Sequence, residues 1–353
     1  MLEWLRSLFG GKARPALSVG TRQASLRHDD ALPDPAEPAL PEDPFDFSQV
    51  AEFDPELREP LDPAQDDESK AIGAQVVAHF LKGKTELPSF PALALRVLEV
   101  AREPDVSINR FVSVVSQDPA VVTKILRVAN SPFYGGVTEI TSARDAVTRI
   151  GLKEATDIAS AASTGALFQL GKRSPIPDFD ALCRALWHHS MTCAFAAGNL
   201  SMQLRKGSSD RAFLGGMLHD VGKMIALRSL SELAERGELQ VGFTPARLAS
   251  ILEHVHLNLG FEAVATWRLP EFVLEICMNH HGAVSAKDAE QSELHAIRLV
   301  SGLNELRCNP RHPTNLVEEV TGSARALRLS AKQLRALVAD LHEFADKADI
   351  LAG

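Results

Sequence analysis

Histidine and aspartate residues that suit a metal site recur through the middle of the sequence. Each stands in an apolar stretch with helix-like spacing, so the side chains can converge from separate helices of a bundle. Imidazole and carboxylate groups are ligands for zinc, iron and manganese. The residues are His189, His219, Asp220, His256, His280 and His281. Their types and order predict a divalent metal site, and the alternative is a hydrogen-bonded polar cluster in the core of the bundle.

The elements that must position these residues are helices. From Ala71 onward, apolar residues repeat at intervals of three and four, and signals for strands are few. The spacing predicts one helix over residues 210–227, which includes the His-Asp pair, and a separate helix over residues 230–237. We therefore expect an all-α fold, with a polar break at residues 171–178 that divides it into two helical subdomains.

Helix starts are marked by capping residues. Ser107 is expected to cap one helix, and Asp118-Pro119 is expected to open the next. Near the end of the chain, Ser330 and Gln333 have the spacing of a capping box before an amphipathic run to residue 350. These signals place helices on both sides of the candidate site, in the first subdomain and in the C-terminal region.

The N-terminal residues 1–70 have a different composition. Residues 29–68 contain eight prolines and carry a net charge of −14, which opposes helix formation and collapse. The first nine residues, Met1 to Phe9, could form a short amphipathic helix. We expect a disordered tail whose tip either contacts a membrane surface or a partner weakly or is simply frayed.

Composition limits the function classes. The chain has 353 residues, 45% of them hydrophobic, and no apolar run approaches the roughly 20 residues that span a bilayer. Residues 1–11 are too short and too interrupted by charge for the apolar region of a secretory signal, and the four cysteines show no CxxC spacing. We therefore expect a cytoplasmic protein with reduced thiols. The whole chain has a net charge of −9, but residues 69–353 have a net charge of only +1. This nearly neutral body disfavours specific nucleic-acid binding.

Several sequence blocks resemble the HDOD domain, the HD-related output domain of bacterial signalling proteins. In the first half the matching blocks are 87–91 (LPSFP), 118–120 (DPA), 126–131 (LRVANS) and 146–152 (AVTRIGL). In the second half they are 187–190 (WHHS), 215–223 (GGMLHDVGK), 256–260 (HLNLG), 267–270 (WRLP) and 279–281 (NHH). The resemblance covers residues 72–283.

The resemblance implies an N-terminal helical bundle packed on a degenerate HD-type helical bundle. It divides the chain into a tail (1–70), an HDOD domain (71–174 and 175–283) and a C-terminal helical extension (284–353). It also implies a regulatory role in signal transduction, usually without enzymatic activity. A signalling protein or a small ligand is the expected partner.

The same resemblance assigns roles to the candidate residues. HD phosphohydrolases hold metals through an early histidine, a His-Asp pair and a late aspartate, and this chain matches the early histidine with His189 and the pair with His219-Asp220. Lys223, one turn beyond, is placed to contact a phosphate. The late aspartate is absent: alignment puts Gly302 at its position, with Asn304 or Glu305 as substitutes if the register differs.

Two functions follow from this departure. The first is a non-catalytic regulatory module that binds a partner protein or a small ligand. The alternative is a metal-dependent phosphohydrolase that acts on a nucleotide or a phosphodiester with bound iron, manganese or zinc. Because the Gly-Tyr-Pro signature of cyclic di-GMP phosphodiesterases does not follow His280-His281, hydrolysis of cyclic di-GMP is not expected.

Overall fold

The computed structural model describes residues 45–52, 67–101, 103–135, 138–169, 174–239, 242–282 and 291–352. Within these ranges the chain is helical and contains no strand, which confirms the all-α prediction. The α-helices are α1 (Asp67–Leu81), α2 (Ala92–Ala101), α3 (Ile108–Val115), α4 (Pro119–Ala129), α5 (Ala143–Ile150), α6 (Leu152–Thr164), α7 (Phe179–Leu204), α8 (Ser209–Leu218), α9 (Val221–Glu235), α10 (Pro245–Thr266), α11 (Glu271–Asn279), α12 (Ser292–Cys308), α13 (Leu316–Leu327) and α14 (Ala331–Ala352).

The predicted caps are present in the structure. The Ser107 hydroxyl accepts a hydrogen bond from the Arg110 amide at 3.2 Å, and the Asp118 carboxylate accepts one from the Ala120 amide at 2.8 Å. The capping box at the start of α14 is present too: the side-chain oxygen of Gln333 accepts a hydrogen bond from the Ser330 amide at 2.9 Å. These short-range contacts satisfy amides that the helix itself leaves unpaired.

The helix predicted over residues 210–227 is two helices. α8 ends at Leu218, and α9 begins at Val221, so His219 and Asp220 form the junction between them. α9 then continues to Glu235, through the break that was predicted before residue 230. The apolar spacing on both sides is helical, so the change of direction at the His-Asp pair leaves no signal in the periodicity.

The two helical bundles meet within one compact unit, residues 46–353. Helices α2 to α6 pack on one another, and the 26-residue helix α7 packs against α8, α12 and α14. The first helix, α1, was predicted in the N-terminal subdomain but packs on α9 and α10. His79 of α1 contacts Glu232 of α9 at 3.1 Å, so α1 is held on the bundle that carries the candidate site.

The N-terminal region is only partly described. The predicted amphipathic segment at residues 1–9 and most of the acidic stretch lie outside the described residues. Within that stretch, Phe47–Val50 forms a 3-10 turn, and the Glu52 amide donates to the Arg307 carbonyl at 2.9 Å. α1 begins at Asp67 rather than Ala71, because Asp67 and Glu68 favour the positive end of the helix dipole.

The C-terminal extension is helical in the residues that the structure describes. α12, α13 and α14 occupy most of residues 292–352, and α12 packs against α7 and α8. Lys347 of α14 forms a 2.7 Å ion pair with Glu154 of α6, which fastens the last helix to the first bundle. In the described ranges, no helix combines the length and the apolarity needed to cross a membrane.

Candidate metal centre

All six predicted ligands converge in one cluster at the core of the second bundle. His189 comes from the middle of α7, the His219-Asp220 pair from the junction of α8 and α9, and His256 from α10. His280 caps the C-terminus of α11, and His281 follows it. The structure therefore brings together side chains that lie up to 92 residues apart in the sequence.

A close approach between α9 and α10 positions part of this cluster. A Cβ atom on Gly222 would lie 1.9 Å from the carbonyl oxygen of His256 and 2.6 Å from the amide nitrogen of Gly260. Glycine at position 222 is thus required sterically, because any side chain would separate the two backbones. The contact places Asp220 and Lys223 beside His256.

Asp220 is the centre of the cluster. Its Oδ1 lies 3.3 Å from His280 Nε2 and 3.7 Å from His256 Nε2, and its Oδ2 lies 3.5 Å from His219 Nε2 and 2.9 Å from Lys223 Nζ. Burial alone would raise the pKa of this carboxyl, but the Lys223 ammonium and the surrounding imidazoles hold the pKa well below its usual value. The carboxylate is therefore charged and available to bind a cation.

Backbone carbonyls orient three of the imidazole rings. His219 Nδ1 lies 2.8 Å from the Gly216 oxygen, and His256 Nδ1 lies 3.0 Å from the Leu252 oxygen. His280 Nδ1 lies 3.2 Å from the oxygen of Ile276. A carbonyl only accepts, so each Nδ1 carries the proton and each Nε2 presents a lone pair to the cluster.

Burial keeps these rings neutral. It is the largest influence on the pKa of each, which it lowers to about 4 for His256 and to about 3 for both His219 and His280. Neutral imidazole is the form that ligates a metal. The rings are thus ready to donate electron pairs at neutral pH.

Four of the residues form a donor set that fits a divalent metal. Asp220, His256, His280 and His281 each place a ligand atom within 4.8 Å of the others. Four buried atoms in this group have no hydrogen-bond partner in the described part of the protein: Asp220 Oδ1 and the Nε2 atoms of the three histidines. Three imidazole nitrogens and one carboxylate oxygen suit zinc, iron or manganese. A bound cation would satisfy all four atoms.

His189 lies in the cluster but is bonded differently. Its Nδ1 is 2.8 Å from Asn304 Nδ2, and the Asn304 Oδ1 accepts a 2.9 Å hydrogen bond from Arg307 Nη2. Arg307 thus fixes the amide so that its NH2 group donates to His189 Nδ1. The neutral His189 ring then carries its proton on Nε2, which faces Ser301 Oγ at 3.3 Å. A protonated nitrogen has no lone pair for a metal.

Of the two adjacent residues on α12, Ser301 faces the cluster and Gly302 does not. A Cβ atom on Gly302 would lie 2.3 Å from Val320 Cγ2, so this residue faces α13 and not the cluster. Ser301 Oγ lies 3.2 Å from His219 Nε2. The one-residue step between Ser301 and Gly302 is a rotation of about 100° on the helix, which is why only Ser301 faces the cluster.

Neither proposed substitute supplies the missing carboxylate at that place. Asn304 contacts His189 on its Nδ1 side, and Glu305 Oε1 lies 3.7 Å from the same nitrogen. Both therefore lie on the Nδ1 side of the His189 ring, opposite the Nε2 atom that faces Ser301. From α12, the side chain that faces the cluster is the Ser301 hydroxyl group, whereas the resemblance to HD phosphohydrolases led us to expect a carboxylate.

Lys223 forms two buried ion pairs. Its Nζ lies 2.9 Å from Asp220 Oδ2 and 2.9 Å from Glu253 Oε1, and its side chain is 7% exposed. Burial opposes its charge, but the two carboxylates raise its pKa well above the usual value. The expected phosphate contact remains a prediction, because the ammonium group is engaged by protein carboxylates.

The residues near the cluster that escaped the sequence reasoning include Ser301, Glu253, Arg307 and Glu319. Glu253 had a usable signal, since it precedes His256 by three residues and so shares a helix face with it. Arg307 had the same kind of signal, since it follows the candidate Asn304 by three residues. Glu319 had none, because it contacts His281 from another helix. The cluster is also enclosed: among the six predicted ligands, His281 has the most exposed side chain, at 24%.

The amino-acid sequence matches a known domain family and a known relative. Residues 87–283 match the HDOD domain family. An uncharacterized protein of Treponema pallidum (strain Nichols) is 26% identical over 212 residues, which cover 58% of this chain and 39% of that protein. The match thus spans about two fifths of that relative.

Solved structures share the fold. An HDOD domain protein of unknown function from Geobacter sulfurreducens has a TM-score of 0.60 and 23% identity, covering 78% of this chain and 97% of its own. A Shewanella amazonensis SB2B protein, provisionally named a metal-dependent phosphohydrolase, has a TM-score of 0.58 and 22% identity, with coverage of 80% and 100%. A provisionally named signal transduction protein of Marinobacter aquaeolei VT8 has a TM-score of 0.53 and 18% identity, with coverage of 87% and 69%.

The family assignment follows from the extent of the match. Residues 87–283 are more than half of the chain, and they include the early histidine, the His-Asp pair and the paired histidines. The prediction made from the sequence blocks is confirmed. This protein belongs to the HDOD domain family.

Proposed function

We propose that this protein is a regulatory module of bacterial signal transduction that does not hydrolyse phosphoesters. The observation that carries the proposal is Ser301: its hydroxyl group faces His219 from α12, and the resemblance to HD phosphohydrolases leads us to expect a carboxylate at such a place. Without that carboxylate, the site loses a ligand and a negative charge. The name of the Marinobacter aquaeolei protein, signal transduction protein, supports the same class.

The histidine cluster keeps a narrower role in this proposal. Asp220, His256, His280 and His281 hold one divalent metal, zinc, iron or manganese, as a structural or sensing centre. A metal bound there could polarise an oxygen ligand and lower the pKa of a coordinated water. The residues around it enclose the centre, which disfavours access by a phosphodiester. The HDOD domain then acts by binding a partner protein or a small ligand.

A test of catalysis uses the full chain loaded separately with zinc, iron or manganese. Hydrolysis of bis(p-nitrophenyl) phosphate and of nucleotide phosphodiesters is measured for the wild type and for Asp220→Ala. The proposal expects no turnover above a chelator-treated blank. Turnover by the wild type that Asp220→Ala abolishes would overturn it and establish the phosphohydrolase instead.

A second test addresses the partner. Crosslinking and affinity capture from the native organism, under several growth conditions, should recover a specific signalling protein with the full chain. Failure to recover a protein or a small ligand under any condition would contradict the regulatory role.

The alternative, a metal-dependent phosphohydrolase, is favoured by one specific observation. The four buried ligand atoms of the cluster remain unpaired by the protein, as a working metal centre requires. The name of the Shewanella amazonensis protein points the same way. The turnover assay above decides between the two functions.

A further inference from the structure

The helix α13 lies outside the HDOD match but covers the histidine cluster. It packs along α12, where Val320 fills the space beside Gly302. This contact fixes the distance between α13 and the HD-like bundle, because a side chain at position 302 would collide with Val320. Glu319, one residue earlier and so about 100° around the helix from Val320, faces His281.

Glu319 is a largely buried carboxylate that faces one nitrogen of His281. Its Oε2 lies 3.6 Å from His281 Nδ1, and its side chain is 12% exposed. Asn315, at the start of α13, donates from Nδ2 to Glu319 Oε1 at 2.6 Å and so holds the carboxylate in place. The neighbouring Glu318 is exposed, so only one of the two adjacent acids is directed at the cluster.

The Glu319 carboxylate provides an acceptor for Nδ1 of His281, as backbone carbonyls do for the other rings. His256 and His280 each point Nδ1 at an oxygen of their own helix. His281 lies beyond the end of α11, and its Nδ1 faces the Glu319 carboxylate. An acceptor at this position favours a proton on Nδ1 and leaves the Nε2 lone pair for a metal.

On the Nε2 side of the His281 ring, a carboxylate and an ammonium group offset each other's charge. Glu253 Oε2 lies 4.0 Å from His281 Nε2 and could compete for a proton on that atom. The Lys223 ammonium, 2.9 Å from Glu253 Oε1, offsets this carboxylate's charge. The shorter of the two contacts of His281 is the one with Glu319, which therefore has the stronger influence on the ring.

We propose that Glu319 is a positioning residue that orients His281 for metal binding, so that the C-terminal extension completes the metal centre of the HDOD domain. The proposal rests on the metal role put forward under Proposed function. It assigns to a helix outside the family domain a direct part in metal affinity.

The test compares metal affinity in the full chain for the wild type, Glu319→Gln and Glu318→Gln. Co²⁺ is the probe, because its visible absorption reports both binding and ligand geometry. Loss of a carboxylate that supports a metal-bound histidine typically weakens affinity about 10- to 100-fold. We expect this loss and an altered Co²⁺ spectrum for Glu319→Gln, and a change of less than about twofold for the exposed control.

Three results would overturn the proposal: equal Co²⁺ affinity for the wild type and Glu319→Gln, equal weakening by both variants, or no Co²⁺ binding by the wild type. Unfolding of the chelator-treated proteins separates a metal effect from a general loss of structure. If Glu319→Gln is misfolded without metal, Glu319→Asp, which keeps the carboxylate, must restore folding and at least part of the affinity. Phosphoester turnover by the wild type would refute the proposed function while leaving this result unaffected.

Discussion

Replacement of Lys223 by methionine should change stability and metal affinity in opposite directions. The ammonium lies 2.9 Å from a carboxylate oxygen of Asp220 and 2.9 Å from one of Glu253, in an environment that leaves its side chain 7% exposed. Methionine has a similar length and no charge. The variant therefore removes the cation but leaves two buried carboxylates facing the space that it occupied.

The magnitude follows from the cost of an uncompensated buried charge. Removing one partner of a buried ion pair typically destabilises a protein by about 3–5 kcal/mol. In chelator, we expect the free energy of unfolding of Lys223→Met to fall by about that amount. With saturating divalent metal, we expect part of the loss to be recovered, because Asp220 then has a cation as partner. Metal affinity should rise for the same reason.

Urea unfolding followed by circular dichroism, with chelator and with metal, measures both effects. The slope of the transition must stay constant for the comparison to report stability. Lys332→Met on α14 is the matched control, since Lys332 is exposed and its replacement should change stability by less than about 0.5 kcal/mol. If Lys223→Met is no less stable in chelator than this control, the buried ion-pair network does not have the role described here.

Two further predictions concern the stability of the cluster. Gly222→Ala places a Cβ atom 1.9 Å from the His256 carbonyl oxygen, so we expect destabilisation of at least about 3 kcal/mol and weakened metal binding, measured by thermal unfolding and Co²⁺ titration. Gly242→Ala, with nothing within 4 Å, is the control, and equal melting temperatures for the two variants would contradict the close contact. The second prediction is that, in chelator, the free energy of unfolding falls as the pH decreases from 7 to 5. Burial lowers the pKa of four histidines in the folded protein to about 3 or 4, so they stay neutral over this range. In the unfolded chain they take up protons near the ordinary histidine pKa of about 6.5, which favours unfolding. Each of the four histidines contributes up to about 1.4 kcal/mol per pH unit. His281 opposes the trend, because its pKa is raised in the folded protein. A melting temperature that is constant between pH 7 and 5 would refute the conclusion that these four rings are neutral.

The break at the His-Asp pair shows where local sequence signals reach their limit. Caps such as Ser107 and Asp118 were predictable because each acts on an amide two or three residues away. The junction at His219-Asp220 was not, because the apolar spacing is helical on both sides of it. The pair turns the chain there only because α9 must lie against α10 through Gly222.

The sequence by itself determined the all-α class, the family and the six residues that meet in the cluster. Helix periodicity and capping depend on neighbours within one or two turns, and the family blocks are recognised by residue type and order. Only the tertiary structure decided which side chains serve the cluster. Ser301 and Gly302 differ by one residue, yet one faces His219 and the other faces Val320. Glu319 contacts His281 across 38 residues of sequence, so its contribution depends on how α13 crosses the bundle. That crossing is set by packing between distant helices, which no local pattern of residues encodes.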